Sequence, residues 1–550
     1  MKERSTEKKL FLQPWVPRLI EVTYWWLINH ATLLIALVAG ASLLSMLLLR
    51  LHLITAYIPE LGGIESNVIY SLQRILDGYP LYVDPATPPY SITQYTPLYY
   101  YLCLLVGRVA GVDPDNVHHV YMLSRSVSLL LNVLFSFSVY TILRKIFQVK
   151  MPLSALAFSY AFIYLDEESF SRPDSLFNFF ALLAIGLFLK LLTKEGLKRP
   201  QFYLIGASVV SVVAIFAKQS AIYLPLLLLF YLVCFLQNFR WTVVALLTMG
   251  FTFGLLFMLS GQGDTHAFLQ NTVQGVNNGI STSWFAKRIM IEHFQKERFL
   301  NILGLFTGIF FLAQGRNHAL RFLGLSILVS FTFALVTSVK IGAAPNYFTE
   351  FIALTIIATM VFIATHAPPV RGSSSAEKTK EIWVCAPLFY LLLVAFTLPP
   401  RFAGKYVRKV VVVHELGQQG YLANRAVADF LYREEHLLPD EQVFVTTHVH
   451  DYLNKFFYRN VVFPQKEIVA ANPPHSYDYI SFTHATETGQ VAYVIASLSE
   501  GHVDTVGQRH SINFSFIETD FSAYVPIKQL GDYVVFEHQS KIPQKSETKQ

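Results

Sequence analysis

Residues 62–85 read G-G-I-E-S-N-V-I-Y-S-L-Q-R-I-L-D-G-Y-P-L-Y-V-D-P, and residues 94–102 read Q-Y-T-P-L-Y-Y-Y-L. This polar, tyrosine-rich stretch interrupts a chain that otherwise passes from one apolar block to the next. Hydrophobic residues make up 53% of the 550, with 45 phenylalanines, more apolar content than a soluble core requires. A membrane-spanning helix needs about 20 predominantly apolar residues. Blocks near 31–52, 120–143, 152–166, 174–193, 202–217, 219–237, 241–260, 299–313, 322–339, 349–365 and 382–398 give about eleven spans. The chain therefore reads as an α-helical polytopic membrane protein, and its first inter-span loop carries carboxylates and tyrosines where the lipid boundary should be.

The basic residues orient the spans. Lys2, Arg4, Lys8, Lys9 and Arg18 precede the first. Arg144, Lys145 and Lys150, then Lys190, Lys194, Lys198 and Arg199, then Arg316 and Arg321, then Arg371, Lys378 and Lys380 fall in alternate loops. Loops rich in Lys and Arg stay cytoplasmic, so the N-terminus is expected inside. Residues 65–119, the 167–173 turn, 261–298, 340–347 and everything after Pro399 are expected outside. The net charge of +6 follows from these loops and argues for membrane topology, not for nucleic acid. No cleavable leader is evident, because the first apolar run is long enough to span. Cys103, Cys234 and Cys385 sit in apolar surroundings without paired spacing and read as packing residues. A plasma membrane is the expected location; an endoplasmic reticulum membrane with the outward face in the lumen fits the same charge pattern.

Composition shifts at Pro399-Pro400. Residues 1–398 read as the membrane domain, 399–540 as an outward α/β domain and 541–550 as a polar, disordered tail. Within the second domain 422–435 reads as helix, and 442–447, 477–482, 515–518 and 533–538 read as strands. His448, His450 and Asp451 mimic metal ligands, yet no further ligand has suitable spacing, so a strand end followed by a cap is the reading. Asn513-Phe514-Ser515 is a glycosylation sequon. No internal repeat of the kind that builds inverted-repeat transporters is evident.

In the first loop, Ile69, Leu72 and Ile75 have helical spacing over a run too short to span, and Gly78 with Pro80 ends it. A second short apolar helix begins at about Tyr95. Both are expected to lie in the membrane interface. The acid at 65, the I-L-D-G-Y-P-L-Y-V-D-P run and the Y-T-P-L-Y-Y-Y run resemble the GT-C superfamily of polyprenyl-phosphate-sugar-dependent glycosyltransferases, in its dolichyl-phosphate-mannose mannosyltransferase-like, family-39-like group. Arg125 in the second span, S-R-P-D-S-L-F at 171–177, A-K-Q-S at 217–220 and K-I-G-A-A-P-N-Y-F-T-E at 340–350 resemble further segments of that group, in order.

The resemblance implies an inverting enzyme that moves a sugar, a mannose-like hexose or a pentose, from a polyprenyl-phosphate donor to a hydroxyl of a lipid, glycan or protein acceptor on the outer face. The attacking hydroxyl needs a carboxylate base, and the departing phosphate needs cations or hydrogen-bond donors. Glu65 and Asp174 are accordingly the expected catalytic residues. Arg172, Lys218, Lys340 and Arg125 are expected at the donor phosphate, and Tyr95, Asn346, Tyr347 and Glu350 at the substrate. The group often has Asp or an Asp-Glu pair where this chain has Ile64-Glu65. Other readings stand beside these: a first-turn acid at Glu65, a helix-start acid after proline at Asp174, a structural ion pair within the helix bundle at Arg125 and a snorkelling lysine at 218. No cofactor is certain. Carboxylates at 65, 166 and 174 would suit Mg or Mn, and the wider family has both metal-dependent and metal-free members. A secondary transporter and a non-catalytic membrane scaffold are the alternatives from other classes.

Overall fold

The computed structural model describes residues 15–61, 65–165, 170–193, 199–261, 264–315, 317–366, 375–447, 452–471, 476–506, 509–514, 516–517 and 519–541. The acidic cluster 166–168, Arg316, the His448–Asp451 motif, Ser515 of the sequon and nearly all of the expected tail lie outside the described residues, as do the basic residues before Trp15.

The membrane part comprises α1 (Trp15–Thr55), α2 (Glu65–Leu76), α3 (Leu98–Ala110), α4 (Val117–Thr141), α5 (Met151–Tyr164), α6 (Asp174–Leu192), α7 (Pro200–Ala217), α8 (Tyr223–Tyr231) and α9 (Phe239–Ser260). Three short helices, α10 (Thr265–Leu269), α11 (Thr282–Phe285) and α12 (Phe294–Lys296), lead to α13 (Arg298–Leu312), α14 (His318–Thr337) and α15 (Thr349–His366). Eight helical segments are long and apolar enough to cross a membrane. The other three expected spans are helices too, shortened to α5, α13 and the Pro387–Pro400 stretch of the next helix. At the centre, α6 packs on α4 and α7, and α13, α14 and α15 pack together. α9 lies at the periphery, its Phe251 and Met258 more than 70% exposed, as expected of a lipid-facing surface.

α16 (Ser375–Asp429) is one helix that continues through Pro387, Pro399 and Pro400, so the composition boundary at Pro399 does not coincide with a break in secondary structure. At Gly417 the helix touches the backbone of Tyr57 so closely that a Cβ would collide with the Tyr57 carbonyl. The extramembrane part adds α17 (Leu453–Phe456), α18 (Lys466–Ala471) and α19 (Ile480–Glu487), with strands β1 (Gln442–Val445), β2 (Val461–Val462), β3 (Val491–Ser497), β4 (Val503–Val506), β5 (Arg509–Ile512), β6 (Tyr524–Leu530) and β7 (Tyr533–His538). The main sheet has the order β2-β1-β3-β7-β6, parallel from β2 to β3 and antiparallel from β3 to β6. Strands at 442–447 and 533–538 were expected and are present. Residues 477–482 instead lead into α19, and β3, buried along its whole length, is the sheet's central strand.

The first inter-span loop joins the two parts. α2 does not lie open on an interface: nearly all of its residues from Glu65 to Ile75 are buried. Gln73 Nε2 donates to Pro114 O at 2.9 Å and to Lys455 O at 3.0 Å, and Tyr70 belongs to the sheet domain's core. Farther along, Phe463 N donates to Pro89 O (2.9 Å), Ile92 N to Gln465 Oε1 (3.1 Å), and Arg459 pairs with Asp77 and Asp115 at 2.8 and 2.9 Å. A helix with polar groups on several faces needs partners on each of them, and here the bundle and the sheet domain supply them from opposite sides.

Candidate active site

Proline 173 starts α6, which leaves Asp174 at its first position, beneath the turn carrying Ser171 and Arg172. Two buried carboxylates flank this turn, and their surroundings differ.

Glu65 is fully buried and fully bonded. Arg125 grips it in a two-pronged contact, Nε to Oε1 at 3.0 Å and Nη2 to Oε2 at 2.9 Å. Ser171 N donates to Oε1 (3.1 Å) and Leu61 N to Oε2 (2.7 Å), so each oxygen accepts twice. Arg125 also donates to the carbonyls of Leu53, Ala56 and Ile58 at the end of α1, and lies 4.9 Å from the Tyr121 ring. The backbone amide of Glu65 itself is capped by Glu60 Oε1 at 3.0 Å. With a guanidinium and two amides on it, the carboxylate has every acceptor position taken. Its geometry ties α1, α2, α4 and the Ser171 turn together.

Asp174 is 2% exposed and sits among cations. Oδ1 accepts from Lys218 Nζ at 2.5 Å and Asn346 Nδ2 at 2.8 Å, while Arg172 Nε stands 3.3 Å from Oδ2. Oδ2 has no hydrogen bond from the described residues. Lys218 reaches this position because α7 ends at Ala217 and Lys218 adopts an extended backbone before the Gln219–Ile222 turn. That turn is pinned by Gln219 Nε2, which donates to Gln94 O (2.6 Å) and Thr272 O (2.9 Å). The Lys218 ammonium also stands 4.8 Å from the Tyr347 ring centre. Tyr95 faces Asp174, Arg172, Lys218 and Tyr347, and burial with Asp174 pushes its phenol up to about 12.

Lys340 belongs to a strap in which residues 279–284 pair with 339–343: Ser281 N bonds Val339 O, Ile341 N bonds Gly279 O and Trp284 Nε1 bonds Ala343 O. No carboxylate among the described residues pairs with Lys340. Burial, reinforced by the Lys218 ammonium, brings it down to about 8. Glu350, in the first turn of α15, is buried and lies in the field of Lys218 and Asp174.

Of the ten residues selected from sequence, eight therefore converge: Tyr95, Arg172, Asp174, Lys218, Lys340, Asn346, Tyr347 and Glu350. Glu65 and Arg125 form their own pair behind the turn and do not reach the cluster directly. Tyr223, whose buried hydroxyl faces Glu350, was missed; the signal was its place five residues after Lys218 at the start of an apolar helix. No group of three or more His, Cys, Asp or Glu side chains among the described residues could hold a metal. Asp174, already flanked by two cations, is poorly suited to a divalent ion, and Glu65 has no lone pair to spare.

Eight long apolar helices, interlocked inter-helix loops, a sheet domain seated over the first of them and a cationic cluster at span ends define a polytopic membrane protein, and solved structures share its fold. Among solved structures, it superposes on ArnT from Cupriavidus metallidurans bound to undecaprenyl phosphate with a TM-score of 0.54 at 15% identity, covering 91% of this chain and 97% of that one. The apo oligosaccharyltransferase of Archaeoglobus fulgidus gives 0.54 at 12% identity, over 86% of this chain and 70% of the other. The archaeal oligosaccharyltransferase AglB from the same organism, in complex with an inhibitory peptide and a dolichol-phosphate, gives 0.52 at 12% identity, over 87% and 70%. No family model matches the sequence, and no curated protein matches it.

Proposed function

We propose that this protein is an inverting glycosyltransferase that takes a sugar, a mannose-like hexose or a pentose, from a polyprenyl monophosphate and passes it to an acceptor hydroxyl. The observation that carries the reading is the Arg172–Lys218–Lys340 cluster around Asp174, at the ends of the spans, in a fold shared with a protein crystallised with undecaprenyl phosphate. Buried cations beside lipid are costly and are retained where an anion visits. A lipid-linked phosphodiester supplies that anion, and its apolar chain lies along the helices.

In this scheme the donor phosphate draws Lys218 and Arg172 toward itself and Lys340 completes the cradle. The phosphate thereby takes over part of the cationic ring of Asp174, whose Oδ2 is open to the acceptor. The acceptor oxygen attacks the anomeric carbon from the face opposite the phosphate, its proton passes to Asp174 Oδ2, and the anomeric carbon–oxygen bond breaks with its electron pair on the phosphate. The polyprenyl phosphate leaves with one more negative charge, which the three cations offset. Glu65 holds Arg125 and the Ser171 amide, fixing the turn that aims Arg172 and Asp174. Tyr95, Asn346, Tyr347 and Glu350 line the sugar side. The alternation of basic loops supports an outward-facing site. The acceptor is a lipid, a glycan or a protein.

The test is transfer by purified protein from radiolabelled undecaprenyl-monophosphate sugars, with nucleotide sugars and lipid-diphosphate sugars as controls. Transfer from a monophosphate donor alone supports the reading. Transfer only from nucleotide or diphosphate donors, or ion-gradient-driven uptake without transfer, would overturn it.

A further inference from the structure

Glu350 and Tyr223 come from separate helices, α15 and α8, and are 4% and 5% exposed. Each carries a buried polar atom, Glu350 Oε1 and Tyr223 OH, with no hydrogen-bond partner among the described residues. Both helices pack on α14, where the Glu350 carboxyl acts electrostatically on the Tyr223 hydroxyl, and Lys218 and Asp174 act on Glu350. The Tyr223 ring is held against Phe333, with centroids 4.9 Å apart, so its hydroxyl is aimed by packing. A buried hydrogen-bonding group left unmet costs about 1–3 kcal/mol, and two that converge call for a shared partner.

The chemistry of that partner is constrained. The cations stand on the Lys218 side, and the phosphate itself belongs there. The polyprenyl chain has no polar atom to offer. A hydroxyl meets both needs, donating to Glu350 Oε1 and accepting from Tyr223 OH. With the donor phosphate held by Arg172, Lys218 and Lys340, the hydroxyl within reach is on the sugar attached to it. We propose that Glu350 and Tyr223 form the subsite that reads one hydroxyl of the donor's sugar ring and thereby selects the sugar; this rests on the polyprenyl-phosphate reading above. Sites built to bond a hydroxyl reject analogues lacking it far more strongly than apolar pockets reject an added group.

The experiment compares wild type with Glu350→Gln and Tyr223→Phe on undecaprenyl-monophosphate mannose, glucose, galactose and arabinose, and on single-deoxy analogues of the best donor. Inhibition by undecaprenyl phosphate is measured in parallel. The expected result is an about ten- to hundredfold loss of kcat/KM for both variants on the best donor. On the analogue lacking the hydroxyl that is read, wild type and variants should converge, and inhibition by undecaprenyl phosphate should be unchanged throughout. Equal losses on every donor, or none, overturn the subsite while leaving the donor class intact. If wild type neither transfers from these donors nor is bound by undecaprenyl phosphate, the donor class fails and the subsite falls with it.

Discussion

Arg125→Met is the perturbation that separates a positioning Glu65 from a catalytic one. The substitution removes two bonds to Glu65 and three to the carbonyls of Leu53, Ala56 and Ile58. It leaves a fully buried carboxylate with only the amides of Leu61 and Ser171. Removing one partner of a buried ion pair costs about 3–5 kcal/mol, because the remaining charge is uncompensated. Glu65→Gln keeps the acceptor oxygen but turns an amide nitrogen toward a donor, and should cost about 1.5–3 kcal/mol, the range for a hydrogen bond to a charged group. The double variant has no stranded charge, so the losses should fall short of additive by at least about 1 kcal/mol. Thermal unfolding in nanodiscs measures the stability terms, and transfer assays across pH measure the catalytic ones. Glu65→Gln should retain the shape of the pH profile while both kcat and the unfolding temperature fall. A Glu65→Gln protein as stable as wild type that loses turnover by a thousandfold and loses its basic limb would refute the argument and make Glu65 the base. So would an Arg125→Met variant destabilised by less than about 1 kcal/mol.

Further outcomes follow from the same geometry. Lys218→Met removes the ammonium nearest Asp174 and should raise the donor KM and lower kcat together by about a hundredfold or more, read in steady-state assays; unchanged kinetics would sink its assignment. Lys340, brought down to about 8 by burial, is charged at pH 7 and loses its proton as pH rises through that value. Affinity for undecaprenyl phosphate should therefore fall above pH 8, and Lys340→Arg, which stays charged, should remove the fall. Gly417→Val places side-chain atoms against the Tyr57 carbonyl and should lower the unfolding temperature and yield, whereas the neighbouring Gly420, with open space around it, should tolerate alanine. Arg459→Ala breaks a half-exposed contact to Asp77 and Asp115 and should cost no more than about 1 kcal/mol. Its measurable effect should be faster proteolysis of the seam between the first loop and the sheet domain.

The membrane architecture was legible in the sequence because lipid imposes a strong rule: every backbone polar group must be satisfied within its own helix. All eleven apolar blocks are helices, including the short α5 and α13 that length alone would have rejected and charge alternation retained. The sheet domain was less legible. Tyr477–Phe482 has strand-like composition but leads into α19, since β propensity yields to tertiary context. β3, V-A-Y-V-I-A-S, carried the signal of a fully buried strand, a short continuous apolar run, and was passed over. Pro399-Pro400 resembled a boundary, yet α16 continues through it. In the site, span-end residues such as Asp174, Lys218 and Lys340 were recognisable singly, because charges that border apolar runs stand out. Pairing was not recognisable: nothing in the sequence indicates that Arg125 takes Glu65 and not the donor, since the two lie 60 residues apart. Asp174 and Glu65 look alike in sequence and differ in how many donors each oxygen already has.

The most direct test is single-turnover sugar transfer from an undecaprenyl-monophosphate donor by Asp174→Asn and Glu65→Gln side by side, each checked for fold by thermal unfolding. The account predicts that Asp174→Asn binds donor yet transfers at least about a hundredfold more slowly, the range for a lost general base. Glu65→Gln should retain a far larger share of the rate and pay mainly in stability. Full activity in Asp174→Asn would contradict the account at its centre.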